Sequence, residues 1–415
     1  MTAWSLERAE EHLLSLELFG MRFGLERMRR LLTVLGSPQE AFRAVHVVGT
    51  NGKSSTVRMT AGVLGAHGVR TGAFLSPHLA TFAERVRVGD RDLAPDAFAA
   101  AVQRAAAAAA KVDRTLDEGD RVTQFELVTA AAFAEFARAG VEVAVVEAGL
   151  GGRWDATNVL GAPVVVLTNV GLEHTRWLGP TLTDIAREKL AVLPRGATLV
   201  TGELEPEAEA VAAAVAAERD ARRVCVGAAG TAGAGAALPG YQRENFAVAV
   251  AAAEALQGPL DPARVVAAAA HAQVPGRLQV VDAAPLTVLD GAHNPSGMRA
   301  LVRALPDAVG DRPLVAVVSV LDDKDATEML RALAPRCRAL VLTRTANPRA
   351  LPAATLASLA GQLGHRDAHI VPDPRRALAR ARELAGADGA VIATGSIYLV
   401  ADLLSAPGRR RASAL

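Results

Sequence analysis

An α/β fold in two domains is what this sequence predicts, and three observations carry that expectation. The chain has 415 residues, 51 % of them hydrophobic, which is enough for two sizeable cores. From about residue 45 onward, short β-branched apolar runs alternate with helical stretches. After about residue 275 the alternation starts afresh. We therefore expect one domain over 1–274 and a second over 275–415, joined at Pro275-Gly276.

The elements follow in order. Residues 5–18 and 24–35 have the apolar spacing of two amphipathic helices around a turn at Gly20. VHVVG (45–49), VAVVEAG (143–149) and PVVVLTNV (163–170) are unbroken apolar runs bounded by Gly or Pro, as in parallel strands covered on both faces. The alanine-rich stretch 99–110 predicts a surface helix of high propensity. GAAGTAGAGAALPG (227–240) predicts a flexible loop. In the second half LTVLD (286–290), PLVAVVSV (313–320), ALVLT (339–343), HIV (369–371) and AVIAT (390–394) alternate with helical segments, the pattern of a doubly wound, Rossmann-like sheet.

The bulk numbers exclude several function classes. The formal net charge is +1, which points to neither nucleic acid nor a membrane surface, and the basic stretch GRRRAS (408–413) reads as a solvated tail. Cys225 and Cys337 are the only cysteines, too few for a zinc cluster, and a reducing cytoplasm is the expected compartment. The first 30 residues carry many charges and no apolar span, so we expect neither a signal peptide nor a transmembrane helix.

Lysine is the informative residue. Of 45 basic residues only Lys53, Lys111, Lys189 and Lys324 are lysine; the others are arginine. Lys53 lies in VHVVGTNGKSST (45–56), where a strand, a glycine-rich turn, Lys, Ser and a helical stretch follow one another. That order suits phosphate: glycines let backbone N–H groups approach the oxygens, and the helix adds its positive end. A compact lysine ammonium suits a narrow loop better than a planar arginine fork. Gly49, Thr50, Asn51, Gly52, Lys53, Ser54 and Ser55 are the candidate nucleotide contacts of a P-loop NTPase-like domain, with Ser54 or Ser55 on magnesium or phosphate. The match to GxxxxGK[ST] is incomplete, because Val47 stands where the first glycine would fall and Gly49 opens a shorter loop.

Further stretches narrow the reading. GTNGKSS resembles the loop of the Mur ligase superfamily, and FLSPHLATFAERV (74–86), TQFELVTAAAF (123–133), EAGLGGRWDATNV (147–159), GLEHTRWLGPTLTDIAREKL (171–190), PGRLQVV (275–281), DGAHNPSG (290–297), LDDKD (321–325) and ATGSIYLV (393–400) follow in order. Together they resemble the folylpolyglutamate synthase/dihydrofolate synthase family from roughly residue 20 to 405. The resemblance implies a Mur ligase-type ATP-binding domain with a mostly parallel sheet and a C-terminal Rossmann-like glutamate ligase domain. It implies an ATP-dependent ligase that adds L-glutamate to dihydropteroate, or to the γ-carboxylate of reduced folates, through an acyl phosphate. The implied cofactors are ATP and two magnesium ions, with potassium admitted. A monomer is the expectation.

The resemblance also assigns roles. Glu147, at the end of an apolar strand, becomes a magnesium ligand rather than a cap, and Ser76 of the SPH loop joins it on the first ion. His174, otherwise an ordinary hydrogen-bonding histidine, becomes a ligand of the second. Lys189, otherwise a salt-bridge residue, matches a carbamylated lysine that helps hold metal; only an amine able to lose its proton forms a carbamate. Lys53, Glu147, His174 and Lys189 are thus the implied catalytic set. Asn245 matches an adenine contact, Arg277 an arginine on the ATP phosphates, and Asp290 a nucleotide-side position. His293 and Ser396 match glutamate-side positions. Thr123, Phe125 and Asp155, with Ser76, match pterin-acceptor positions; by themselves they read as a cap, a core aromatic and a solvated loop acid.

Three departures stand out. Ser54 replaces the glycine usual in the family's TNGKGS loop, Trp154 stands where a smaller apolar residue is common, and the segment before Asn245 is shortened. The rival readings are a Mur-type ligase on another carboxylate and a P-loop ATPase that does not ligate. Only about 40 residues precede the loop, which argues against a separate UDP-sugar domain. A regulatory ATPase has no need of a second domain with DGAHNP.

Overall fold

The computed structural model describes residues 2–17, 24–227, 233 and 235–405. The turn expected at Gly20, residues 228–232 and 234 of the 227–240 loop, and the basic tail lie outside the described residues. The chain divides into two compact units, the first built from Met1–Ala237 and Glu244–Ala272, the second from Leu238–Arg243 and from Gln273 onward.

In chain order the first unit carries α1 (Leu6–Ser15), α2 (Glu26–Val34), β1 (Arg43–Val48), α3 (Lys53–Ala66), β2 (Thr71–Phe74), β3 (Val86–Val88) and β4 (Arg91–Asp92). Then come α4 (Pro95–Asp113), α5 (Gln124–Arg138), β5 (Val143–Glu147), β6 (Val164–Leu167), α6 (Thr175–Leu178), α7 (Leu182–Leu190), β7 (Thr198–Thr201), α8 (Pro206–Glu218) and β8 (Arg222–Cys225). Most of α9 (Tyr241–Gln257) and all of α10 (Pro262–Ala270) complete it. The eight strands form one sheet in the order β4-β3-β2-β5-β1-β6-β7-β8. Pairings from β2 to β8 are parallel, and only the β2–β3 and β3–β4 pairings are antiparallel. The expected strands 45–49, 143–149 and 163–170 are the three central ones. Val45, Val47, Val145, Val165 and Leu167 are fully buried, as strands covered on both faces must be.

The alanine-rich helix differs from its expectation. In α4, Ala99, Ala101, Ala105, Ala108 and Ala109 are buried along with Phe98 and Val102, so one face is core rather than surface. Composition predicted the helix; it could not show that alanine's small side chain lets neighbouring helices approach one face closely.

The second unit holds a six-stranded sheet of β9 (Gln279–Ala283), β10 (Leu286–Leu289), β11 (Leu314–Val318), β12 (Ala339–Leu342), β13 (Ala368–Ile370) and β14 (Ala390–Thr394). Their order is β13-β12-β11-β14-β10-β9, all parallel except the edge strand β9. The helices α11 (Pro295–Val309), α12 (Ala326–Leu333), α13 (Ala353–Gln362), α14 (Pro374–Ala385) and α15 (Ile397–Leu404) connect them. The core is aliphatic, built on Val288, Leu301, Leu330, Leu340, Leu356 and Ile392.

Candidate active site

In the first unit β1 lies between β5 and β6, with Val47 opposite Glu147 and Val48 opposite Leu167. The loops leaving these three strands therefore emerge side by side at their carboxyl ends, where open α/β sheets bind ligands.

The loop after β1 is held by the loop after β6. Thr50 N donates to Asn169 O at 3.0 Å and Asn51 N to Asn169 Oδ1 at 2.9 Å. Thr168 Oγ1 donates to Asn51 O at 2.7 Å, and Thr50 Oγ1 accepts from Gly171 N at 3.0 Å. The glycines serve this packing. A Cβ on Gly49 would fall 1.9 Å from Thr168 Oγ1, and one on Gly52, at φ 82°, would fall 2.5 Å from Asn245 Oδ1. Asn245, expected at adenine, thus lies against the loop's second glycine. Lys53 opens α3, and its Nζ donates to Thr50 O at 3.1 Å. Thr168 and Asn169 were not singled out from the sequence, although the TNV of PVVVLTNV contains both.

Glu147 ends β5 and is 1 % exposed. Ser54 Oγ donates to its Oε1 at 3.0 Å, and Ser76 N to its Oε2 at 3.1 Å. Ser76 therefore reaches Glu147 through its backbone amide. The end of the FLSPHLATFAERV stretch shapes its beginning: Glu84 accepts from Leu79 N, Ala80 N and Thr81 N at 2.9, 2.8 and 2.7 Å. Buried Arg85 donates through Nε to His78 Nδ1 at 2.9 Å.

Among the described residues no group of three or more His, Cys, Asp and Glu is placed to hold a metal alone. Magnesium seldom needs one, since it binds through one or two carboxylates, nucleotide phosphates and water. The hard oxygen donors of Glu147 and Ser54 beside a phosphate-type loop fit that habit.

A pocket is lined by Gly49, Lys53, Gly149, Glu173, His174 and Lys189 among others. It brings together three of the four implied catalytic residues. Lys189, on α7, is buried, and its Nζ donates to Gly49 O at 2.8 Å. Burial first, and the Lys53 ammonium second, push its pKa down to about 7, against the pull of Glu173, Asp155 and Glu188. His174 adopts a left-handed φ of 53°, with Nε2 4.0 Å from Glu173 Oε1. The glycines of GLGG are required by close approach. A Cβ on Gly149 would sit 2.6 Å from Phe125 Cζ, and one on Gly152 2.6 Å from the Lys189 carbonyl.

The acceptor candidates have mixed surroundings. Thr123 caps α5 through a capping box with Glu126. Phe125 is half-buried, its ring against Gly149 and 5.9 Å from Phe74. Asp155 is buried rather than solvated, accepting from Leu150 N at 2.9 Å, Thr157 N at 3.0 Å and Thr157 Oγ1. Burial pushes its pKa up against those hydrogen bonds. Thr157 Oγ1 lies 2.8 Å from Nε2 of buried His46. Thr157 donates its proton to Asp155, so His46 is the donor in that contact. Trp154 stands half exposed beside this buried chain.

In the second unit, Asp290, His293 and Ser396 lie at the carboxyl ends of the adjacent strands β10 and β14, where Gly395 N donates to Ala292 O at 3.0 Å. Asp290 is buried and accepts from Leu278 N and Ala292 N, both at 2.9 Å, and from Tyr241 Oη. Its carboxylate organises its own loop, and Tyr241 is a partner the sequence did not announce. His293 Nδ1 donates to Gly291 O at 2.8 Å, and Ser396 caps α15 by accepting from Tyr398 N at 3.1 Å. The Arg277 guanidinium lies over Gly291, where a Cβ would fall 2.3 Å from its Nη1.

Comparison with known proteins shows the family and the fold. Residues 276–397 match the family model of the Mur ligase, glutamate ligase domain. The dihydrofolate synthase/folylpolyglutamate synthase of Mycobacterium tuberculosis is 36 % identical over 377 residues, covering 81 % of this chain and 77 % of the relative. The structure of Mycobacterium tuberculosis folylpolyglutamate synthase complexed with ADP superposes with a TM-score of 0.89 at 33 % identity, covering 98 % of this chain and 99 % of the other. A bifunctional folylpolyglutamate synthase/dihydrofolate synthase with Mn, AMPPNP and L-glutamate bound gives 0.83 at 30 % identity, covering 97 % of both chains.

Proposed function

This chain belongs to the dihydrofolate synthase/folylpolyglutamate synthase family, and we propose that it joins L-glutamate to dihydropteroate, or to the γ-carboxylate of reduced folates, using ATP. The observation that carries the reading is the convergence of a phosphate-type loop, buried Glu147 and buried Lys189 around β1.

In the reaction an acceptor carboxylate attacks the γ-phosphorus of ATP, and ADP leaves. The amine of glutamate then attacks the carbonyl carbon of the acyl phosphate, loses a proton, and expels phosphate. Such chemistry relies on positioning and electrostatics more than on a protein nucleophile. The Lys53 ammonium and the amino end of α3 offset phosphate charge, while Thr168 and Asn169 keep the loop in shape. Glu147, steadied by Ser54 and the Ser76 amide, would hold magnesium together with the phosphates. Bound there, the ion supplies neutralisation of negative charge on the transferring group. With its pKa pushed down to about 7, buried Lys189 holds a substantial share of neutral amine near neutrality, able to add carbon dioxide and release a proton. The resulting carbamate, with His174, would hold a second magnesium, and potassium is admitted as a further ion. Phe125 offers a half-exposed ring to the acceptor. Arg277, His293 and Ser396 are assigned to ATP phosphates and glutamate. A monomeric, cytoplasmic enzyme without nucleic-acid partners suits the net charge of +1. Among the described residues no helix is long and apolar enough to cross a membrane.

The test is phosphate release with ATP, magnesium and L-glutamate, given 7,8-dihydropteroate, a reduced monoglutamyl folate, or no acceptor. Release that needs glutamate and either acceptor is expected. Release indifferent to both would favour an ATPase, and none with either acceptor would point to another carboxylate.

A further inference from the structure

One cation beside this site has no role in the reaction above. Arg58 follows Ser54 by one turn of α3, so the two share a face, and side chains on a helix lean toward its amino end. Arg58 therefore leans toward the turn whose Ser54 hydroxyl bonds Glu147. Its side chain is only 17 % exposed. Among the described residues the nearest carboxylate is Asp92, at 4.0 Å, and Asp92 is already paired with Arg87. Glu84 is occupied by three backbone amides of its own loop. Two guanidiniums thus share one carboxylate. Burial, and then Arg87, push the Arg58 pKa down to about 10, against Asp92, Glu84 and Glu147. A largely buried guanidinium without a close anion is costly, and a bound anion would relieve it.

We propose that Arg58, backed by Arg87, binds the α-carboxylate of a glutamyl residue on the acceptor and so selects substrates that carry a tail. The inference rests on the ligase reading above. In a glutamyl acceptor the α-carboxylate lies roughly 5 Å from the reacting γ-carboxylate, across four carbon–carbon bonds. One helical turn is about the same length. A reacting carboxylate near Glu147 would therefore bring its α-carboxylate within reach of Arg58. Dihydropteroate reacts through a benzoate carboxylate and has no α-carboxylate, so it gains nothing from this residue.

The experiment compares wild type, Arg58→Met and Arg58→Lys on dihydropteroate and on a reduced monoglutamyl folate. Circular dichroism and the KM for ATP serve as folding controls. Losing one charge-assisted contact should raise the KM for the folate about ten- to a hundredfold in Arg58→Met, with dihydropteroate kinetics unchanged. Arg58→Lys should recover part of the loss. Equal losses on both acceptors, or none on the folate, overturn the proposal. So does a wild type that uses dihydropteroate and binds no glutamyl folate, an outcome that leaves the ligase reading intact. A wild type that uses neither acceptor removes that reading and the proposal with it.

Discussion

Acid should weaken the first unit through its buried histidines His46 and His78, and His46 can be isolated by substitution. His46 sits in the middle of β1, 1 % exposed, with Nε2 on the Thr157 hydroxyl at 2.8 Å. Burial pushes its pKa down to about 4 from the 6.5 of a free imidazole. Between those values the unfolded chain binds a proton that the folded chain refuses. Stability is therefore fully present above pH 6.5 and falls as pH drops toward 4. A shift of this size corresponds to roughly 3 kcal/mol at the acid end. His46→Gln keeps an N–H for Thr157 and does not titrate. Urea unfolding followed by tryptophan fluorescence between pH 4.5 and 7.5 reads the difference. Trp4, Trp154 and Trp177 all belong to the first unit, so the signal reports that unit alone. At pH 7 the variant should be the less stable protein, by about 1 kcal/mol for an altered hydrogen bond. Toward pH 4.5 the gap should close and reverse. Carboxylates titrate in both proteins and cancel, so a gap that stays constant with pH would refute the reasoning.

Four other outcomes follow from the same geometry. Lys189→Met should be the more stable protein at pH 6, by up to roughly 5 kcal/mol in carbon dioxide-free buffer, because burying the charged amine is then no longer required. That advantage should fade toward pH 10, and glutamate-dependent phosphate release should be lost at every pH. Gly49→Ala drives a Cβ into Thr168 Oγ1 and should weaken ADP binding, read by calorimetry, by about 2 kcal/mol or more. Thr123→Ala should lower stability by about 1 kcal/mol through its capping box and leave the KM for dihydropteroate unchanged. Phe125→Ala should raise that KM about three- to tenfold.

Much of this architecture was legible before the fold was known. The three central strands of the first sheet are buried on both faces, and such strands must be continuous apolar runs. The phosphate-type loop announced itself through Gly49, Gly52 and Lys53 because few residue types tolerate that approach of backbone to backbone. Lysine scarcity singled out Lys189 correctly as a residue in unusual surroundings. The strands β2, β3, β4, β7, β8 and β9 were missed. Their apolar runs are broken or flanked by Thr71, Gly72, Arg87, Thr198, Arg222, Arg223 and Asp282, and β9 carries exposed Val280 and Val281 on a sheet edge.

By itself, then, the sequence determined where apolar runs, glycines and rare lysines stand, and so the fold class and the family. Only the tertiary structure decided what each polar group touches. Ser76 meets Glu147 through its amide, Asp155 is buried on its own loop, Asn245 packs on Gly52, and Lys189 is buried, and beside Lys53, so that its pKa falls to about 7. The reason is physical. Hydrophobic periodicity is a property of one segment, whereas desolvation, hydrogen-bond partners and charge proximity arise between segments distant in the chain. In the first unit those segments meet at the ends of β1, β5 and β6.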